Sequence, residues 1–142
     1  MNEDWKFYII KNKNYSYAGA TPDIERRIKK HNQELQGGAK YTKMVGKGWE
    51  YICVVEGFNN KIDCLRFEWA VKHAAPKKAT GIYNRIKKLI KTLNKEYWTR
   101  QSPSSEGYPL NIIWFKSEYR PSDINLPFWI WEDLSNDASN CF

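Results

Sequence analysis

A chain of 142 residues is long enough for one domain with a hydrophobic core, and an aromatic content of 15% argues against a disordered protein. The net charge of +7 is unevenly spread: residues 1–100 carry 21 Lys and Arg against 10 Asp and Glu, and residues 101–142 carry 2 against 6. A basic body with an acidic end indicates a polyanionic partner, with solubility as the plainer explanation for the lysines.

The cysteines and histidines are too few for a disulfide framework or a zinc cluster, since the chain has three Cys and two His. Unpaired Cys53, Cys64 and Cys141 suit an intracellular, reducing compartment, either the nucleus or the cytoplasm. The acidic start Met1-Asn2-Glu3-Asp4 is unlike a signal peptide, and no apolar run is long enough to span a membrane. The sequence therefore predicts a protein that is neither secreted nor membrane-bound.

The chain opens with a predicted β-hairpin. Residues 5–11 are rich in β-formers, residues 12–14 form a turn signal, and residues 15–19 resume as a strand. Side chains alternate between the two faces of a strand, so Tyr8 and Tyr17 are expected to lie close together if their faces coincide. Packing is the plainer role for such a pair.

A short helix is predicted next, from Pro22 to near residue 35, with Thr21 as its N-cap. Ile24 and Ile28 form the apolar stripe of this helix. Arg27 and His31 are also four residues apart, so they are expected side by side at the edge of that stripe. An arginine beside a histidine there is an unusual arrangement for stability alone. A loop is predicted to follow over residues 36–48. Its glycines would let the backbone approach a ligand closely, and Lys40, Thr42 and Lys43 are natural phosphate contacts. The alternative is a flexible loop that is simply basic.

After a predicted strand at 49–57, a helix over residues 61–73 is expected, capped at residues 59–60. Its buried stripe is predicted to contain Ile62, Leu65 and Trp69, with Cys64, Phe67 and Val71 alongside, which places Glu68 inside the stripe. A buried carboxylate needs a partner, so Glu68 is expected to have a salt bridge, a metal ion or a catalytic task.

The remaining chain is predicted to extend this core. An amphipathic helix over residues 81–97 has a basic outer face made of Arg85, Lys87, Lys88, Lys91 and Lys95. A strand follows at 110–116, and the aromatic residues 128–131 are expected to pack on the core rather than to form a partner site. We expect a single domain over 1–142, with a catalytic core at 5–74, an extension at 75–132 and a polar tail at 133–142.

The order Tyr8, Tyr17, Arg27, His31 and Glu68 resembles the GIY-YIG nuclease superfamily. Lys6-Phe7-Tyr8 and Tyr17-Ala18-Gly19 take the places of its two triplets and keep both tyrosines. The resemblance implies an α/β fold with a small central mixed or antiparallel sheet, a hairpin plus a third strand, flanked by helices. The basic helix and a C-terminal strand with the aromatic tail would pack on it.

A narrower resemblance involves Arg26-Arg27-Ile28-Lys29-Lys30-His31-Asn32 and Leu65-Arg66-Phe67-Glu68-Trp69-Ala70, and extends over about residues 5–120. These segments are similar to the catalytic subunits of eukaryotic endonucleases that cut branched DNA. The resemblance implies a Mg²⁺-dependent endodeoxyribonuclease for Holliday junctions and flaps, in DNA repair or recombination, with Mn²⁺ able to substitute. It makes Glu68 the metal ligand.

In this scheme Arg27 stabilises charge on the phosphate, Tyr8 activates water or only relays its proton, and Tyr17 positions water or phosphate. His31 supports them as a second base or through a hydrogen bond to the phosphate, so the identity of the general base stays open among Tyr8, Tyr17 and His31. Neighbouring cations and the metal are expected to lower the pKa of the Tyr8 phenol. A single carboxylate ligand implies weak metal binding without DNA.

DNA is expected to be recognised by shape, through phosphate contacts from Arg26, Lys30, Lys40, Thr42 and Lys43. The family's RING-type zinc module has no counterpart in these 142 residues, so the scaffold protein that this module engages is not implied, and a homodimer stays open. Two alternatives also stay open: a basic nucleic-acid-binding module without catalysis, and a nuclease of the same fold with a sequence-specific substrate.

Overall fold

The computed structural model describes residues 3–134 of the chain. Its strands and helices follow in the order β1 (Lys6–Asn12), β2 (Tyr15–Thr21), α1 (Ile24–His31), α2 (Lys40–Val45), β3 (Glu50–Glu56), α3 (Lys61–His73), α4 (Ile82–Leu93), β4 (Leu110–Trp114) and β5 (Ile130–Asp133). Cys141 and nearly all of the predicted polar tail lie outside the described residues. No helix within residues 3–134 is long and apolar enough to cross a membrane.

One five-stranded sheet in the order β2-β1-β3-β4-β5 organises the fold. Every neighbouring pair is antiparallel except β4 and β5, which are parallel, so the predicted mixed sheet flanked by helices is confirmed. The predicted hairpin closes through Lys13 and Asn14, with Lys13 at a φ of 56°. Strand β4 confirms the strand predicted at 110–116, and β4 and β5 widen the sheet beyond the hairpin and third strand.

The sheet separates two hydrophobic clusters, because side chains alternate along β1. Phe7 and Ile9 point into the larger cluster, which α3 and α4 complete. Tyr8 and Ile10 point the other way, into a smaller cluster with Ile28 of α1. Since β2 is an edge strand, helices from both sides of the sheet can approach each other around that edge, and the candidate site lies there.

Helix α1 begins later and ends earlier than the sequence predicts. Asp23 is its N-cap and accepts a hydrogen bond from the Arg26 amide at 3.0 Å, whereas Thr21 is the last residue of β2. The helix ends at His31 because the next side chain binds the chain at Trp49. The Oδ1 atom of Asn32 accepts from the Trp49 amide at 2.7 Å, and its Nδ2 donates to the Trp49 carbonyl at 3.0 Å.

Helix α3 has the predicted bounds and the predicted cap, since Asn60 accepts from the Asp63 amide at 2.8 Å. Its predicted buried stripe is wrong: Ile62, Leu65 and Trp69 are 59%, 37% and 56% exposed. The buried apolar side chains are Cys64, Phe67, Ala70 and Val71, of which Cys64, Phe67 and Val71 are predicted only alongside the stripe. Apolar residues occur all around this helix, so periodicity alone does not identify the face that meets the sheet.

Four further predictions need correction. Residues 40–45 form helix α2 rather than a loop, and α4 ends at Leu93 rather than at residue 97. Lys88 does not lie on an outer face; it is buried, and its ammonium donates to the Ala79 carbonyl at 2.8 Å. In the aromatic tail, Phe128 and Trp131 are 92% and 68% exposed, whereas Ile130 packs against the larger cluster.

Candidate active site

The Tyr8 hydroxyl is the meeting point of the candidate site. The residue is 1% exposed, and its hydroxyl lies 2.7 Å from Nε2 of His31 and accepts a hydrogen bond from Nε of Arg27 at 3.2 Å. Tyr51 packs edge-on against the Tyr8 ring and donates its own hydroxyl to the Ile24 carbonyl at 2.7 Å. Strand β1 is thereby fixed to the helix that carries Arg27 and His31.

Gly19 makes room for the Tyr8 side chain. The two residues are directly opposite each other in the β1–β2 ladder, and a Cβ atom at position 19 would lie 2.4 Å from the Tyr8 hydroxyl oxygen. Any larger residue would collide with the phenol. The glycine of the second triplet is therefore required by the tyrosine of the first, which is a dependence that sequence reasoning missed.

His31 is fully buried rather than at the edge of a stripe, and its second ring nitrogen, Nδ1, lies 2.8 Å from Oγ1 of Thr42. Thr42 donates its only hydroxyl proton to the Ala39 carbonyl at 2.9 Å, so Thr42 must accept from Nδ1–H. Nε2 of His31 is then unprotonated and accepts from the Tyr8 hydroxyl. Because Thr42 is also 0% exposed, it orients His31 and is not available to a phosphate, unlike the sequence expectation.

Arg27 is held at both ends of its guanidinium. Besides the bond to Tyr8, its Nη1 donates to the Gly37 carbonyl at 3.1 Å. Gly37 has a φ of +104°, a conformation in which a side chain would be strained. One of the glycines expected to bring the backbone close to a phosphate thus positions Arg27 instead. The other N–H groups of Arg27 take no part in these two hydrogen bonds.

Tyr17 and Glu68 join the site from β2 and α3. The Tyr17 ring lies 5.3 Å from the His31 ring, between centroids, so the predicted proximity of the two tyrosines is confirmed. Glu68 forms a salt bridge with Lys72, with 2.8 Å between Oε2 and Nζ, and its side chain is 19% exposed. Nζ of Lys72 also lies 5.1 Å from the Tyr17 ring centroid. Of the three roles left open for Glu68, the structure shows the salt bridge.

Burial controls the protonation of the central groups. Desolvation raises the pKa of Tyr8 above its ordinary value, and Arg27 lowers it only in part, while the Glu68 charge raises it further. Arg27 therefore lowers this pKa as expected, but in the protein alone burial outweighs it and the pKa is raised overall. For His31, burial first and the Arg27 charge second lower the pKa to about 4. His31 is thus neutral at pH 7, in agreement with its hydrogen bonds.

The donor set for a metal ion is small. Residues 3–134 contain no group of three or more His, Cys, Asp and Glu side chains that could hold one. Glu68 is the carboxylate that the site offers, and in this state it is bound to Lys72. One carboxylate suits an ion such as Mg²⁺ that keeps several waters and takes substrate oxygens, and it does not suit a preformed, fully protein-ligated centre.

The predicted phosphate contacts other than Thr42 lie on the surface. Arg26, Lys40 and Lys43 are exposed, and Lys30 is partly exposed. Sequence reasoning did not assign Lys72 or Tyr51 to the site. The register between β1 and β3 shifts at Ile52, so alternation along β3 could not have placed Tyr51 on the face of Tyr8. The four-residue spacing from Glu68 could have identified Lys72.

Known proteins resemble the chain over most of its length. Residues 4–79 match the profile of the GIY-YIG catalytic domain. The Aspergillus terreus protein named structure-specific endonuclease subunit slx1 is 33% identical to the chain, over 84% of this chain and 32% of that protein. The Schizosaccharomyces pombe protein of the same name is 36% identical, over 68% of this chain and 36% of that protein. A homologue of the same name in Brugia malayi is 34% identical, over 71% and 36%.

The chain thus spans about a third of the length of these relatives. The matched residues 4–79 are more than half of its 142 residues and contain Tyr8, Tyr17, Arg27, His31 and Glu68. The chain belongs to the GIY-YIG catalytic domain family.

Proposed function

We propose that the chain is a structure-selective DNA endonuclease domain that hydrolyses one phosphodiester bond in branched DNA. The observation that carries this proposal is the convergence of Arg27 and His31 on the Tyr8 hydroxyl, beside Glu68. A module that only binds DNA has no need of a buried tyrosine whose proton points at a neutral histidine. The relatives are named structure-specific endonuclease subunits, which supports recognition of DNA by its structure, and the substrates we propose are a Holliday junction and a flap.

The hydrogen bonds define a route for one proton. The Tyr8 hydroxyl donates to Nε2 of His31 and accepts from Arg27, which leaves one lone pair on the phenol oxygen. A water at that lone pair can transfer its proton to Tyr8 while Tyr8 transfers its own proton to His31. The raised pKa of Tyr8 disfavours a phenolate, so His31 would be the final acceptor of the proton. Because burial and Arg27 lower the His31 pKa in the free protein, the negative charge of the bound phosphate would have to offset Arg27 for His31 to hold that proton.

Arg27 and Glu68 would act on the phosphate. The N–H groups of Arg27 that are not bound to Tyr8 and Gly37 can donate to the phosphate as its charge grows. Glu68, released from Lys72, would hold Mg²⁺ or Mn²⁺ together with waters and phosphate oxygens. When bound, the ion would polarise the phosphate and stabilise the leaving oxygen.

DNA would bind through Arg26, Lys30, Lys40 and Lys43 along the basic surface. Cleavage of DNA would place the protein where DNA is processed, in the nucleus or the cytoplasm, and buried, unpaired Cys53 and Cys64 suit a reducing compartment.

The relatives are named as subunits. Light scattering with and without DNA would distinguish a monomer from a homodimer, and adding a scaffold protein would test for a heteromeric complex.

The test is cleavage of a labelled Holliday junction, a flap and a plain duplex, with and without Mg²⁺. We expect metal-dependent cuts near the branch, and losses of about 10²-fold or more with Glu68→Gln and Tyr8→Phe while binding persists. Lys61→Gln, a charge change at the other end of α3, is the control. Equal cleavage by Glu68→Gln would refute the site, binding without any cutting would favour the binding module, and cutting of plain duplex at one sequence would favour a sequence-specific enzyme.

A further inference from the structure

A cleft beside the candidate site has cationic walls and no assigned role. Its volume is about 340 Å³, and it opens at the β2 edge of the sheet. Side chains from four elements and one connection line it, namely Tyr17, Tyr41, Lys72, Lys77, Arg85 and Lys88. Tyr17 and Lys72 connect it to the candidate site, because Lys72 binds Glu68 and lies over the Tyr17 ring.

Two of these cations are held in place without a neutralising carboxylate. Nε of Arg85 donates to Oγ of Ser16 at 2.7 Å, and Nζ of Lys88 donates to the Ala79 carbonyl at 2.8 Å. Lys88 is only 7% exposed. Neither side chain forms an ion pair with a carboxylate in the part of the chain that the structure describes.

Such a pair is electrostatically unfavourable in the free protein. Burial lowers the pKa of both groups, and the positive charge of Arg85 lowers the pKa of Lys88 further. Buried charges are ordinarily paired, and like charges that face each other oppose one another. A bound anion would remove this repulsion, and hydrogen bonds that fix both side chains reduce the entropy lost on binding.

Two tyrosine rings also line the cleft. The rings of Tyr17 and Tyr41 are nearly parallel, 21° between planes and 6.1 Å between centroids. Tyr41 is 40% exposed, so part of its side chain remains available to a ligand. Proteins bind single-stranded DNA with cations that contact the phosphates and with aromatic rings that stack on the bases, and this cleft offers both.

We propose that this cleft binds the nucleotide next to the scissile phosphate, with its phosphate on Arg85 and Lys88 and its base against Tyr41. The inference rests on the proposed DNA substrate and deepens it. The cleft would bind a strand that is unpaired at this nucleotide, because a base must be unpaired to stack on Tyr41. Preference for branched over continuous DNA would then come in part from this contact.

The test is the affinity for a fluorescent flap substrate, measured by anisotropy in EDTA so that no metal-dependent cutting occurs. We expect Arg85→Gln to weaken binding about tenfold and to reduce the slope of log affinity against log salt by about 1, whereas Arg85→Lys keeps the slope. Lys87→Gln is the matched control, because it removes the same charge from an exposed position on the same helix.

Tyr41 separates stacking from charge. Tyr41→Ala should weaken flap binding roughly fivefold or more without changing the salt slope, and Tyr41→Phe should bind like the wild type. The same variants should differ less on a continuous duplex, which has no unpaired base. Circular dichroism and thermal melting of each variant exclude loss of folding, and Lys88→Gln replaces Arg85→Gln if that variant unfolds.

Equal effects of Arg85→Gln and Lys87→Gln, or wild-type binding by Tyr41→Ala, would overturn the inference. Failure of the endonuclease proposal looks different. In that case the wild type binds the flap with the Arg85 and Tyr41 dependence described above, but no DNA is cut when Mg²⁺ is added.

Discussion

Tyr8 is constrained by three residues, two of them on helix α1 and one on strand β2. Its hydroxyl needs Arg27 as a donor, His31 as an acceptor and the absence of a side chain at Gly19. Each of the two helix residues is in turn fixed by another group, Thr42 behind His31 and Gly37 behind Arg27. The geometry of the phenol is therefore determined by its surroundings and not by β1 alone.

Gly19→Ala tests the fit between the two triplets. We expect it to destabilise the protein by about 1–3 kcal/mol, because the added methyl group overlaps the Tyr8 hydroxyl, and to lower cleavage as Tyr8→Phe does. Urea unfolding and single-turnover cleavage measure the two effects. In a Tyr8→Phe background the same change should cost less, since the closest atom is gone. Equal costs in both backgrounds would contradict the proposed fit.

His31 predicts a pH dependence of stability. Its pKa is about 4 in the folded protein and about 6.5 in an unfolded chain, so between these values only the unfolded chain binds the proton. Lowering the pH through this window should reduce the free energy of unfolding by up to about 1.4 kcal/mol per pH unit, with no contribution above pH 6.5. Urea unfolding at about pH 7, 6 and 5 measures it. His31→Gln is the reference, and parallel profiles of both proteins would contradict the assignment.

At the scale of elements, the edge strand β2 explains how residues from opposite faces of the sheet form one site. Helix α1 lies on the Tyr8 face and α3 on the Phe7 face, yet Lys72 of α3 reaches the Tyr17 ring on β2. An internal strand would have kept these helices apart. The position of Glu68 therefore depends on where α3 begins and on the face that it buries.

The cap of α3 can be tested independently of catalysis. Asn60→Ala should lower the free energy of unfolding by about 1 kcal/mol, because the Asp63 amide loses its acceptor at the helix start. Asn59→Ala is the control, since that exposed neighbour contributes no side-chain cap. Thermal or urea unfolding gives both values. Equal losses would mean that the cap is not specific to Asn60.

At the scale of the whole molecule, the charge distribution predicts how DNA affinity responds to salt. If about four phosphates are neutralised by the basic body, raising the salt from about 50 to about 200 mM should weaken binding roughly 10²-fold, because counterions are released on binding. Anisotropy titrations at several salt concentrations give the slope. A slope near zero would show that phosphate contacts do not dominate, and Lys40→Gln with Lys43→Gln should reduce the slope by about 2.

Short-range chemistry in the sequence determined much of this protein. Alternation placed Tyr8 and Tyr17 together, the asparagine cap located the start of α3, and the order of the polar residues was enough to identify the family. These features depend on neighbours within a few residues or on a spacing that the chain itself displays. They do not depend on which face of each helix packs against the sheet.

Only the tertiary structure decided the rest. The face of α3 that is buried, the burial of Thr42 and Lys88, and the raised pKa of Tyr8 all depend on segments far apart in the chain. Desolvation and packing are properties of the assembled core, so periodicity could not distinguish the buried stripe, and a list of nearby cations could not outweigh burial. The sequence identified the chemical groups, and the fold set their protonation and their access to DNA.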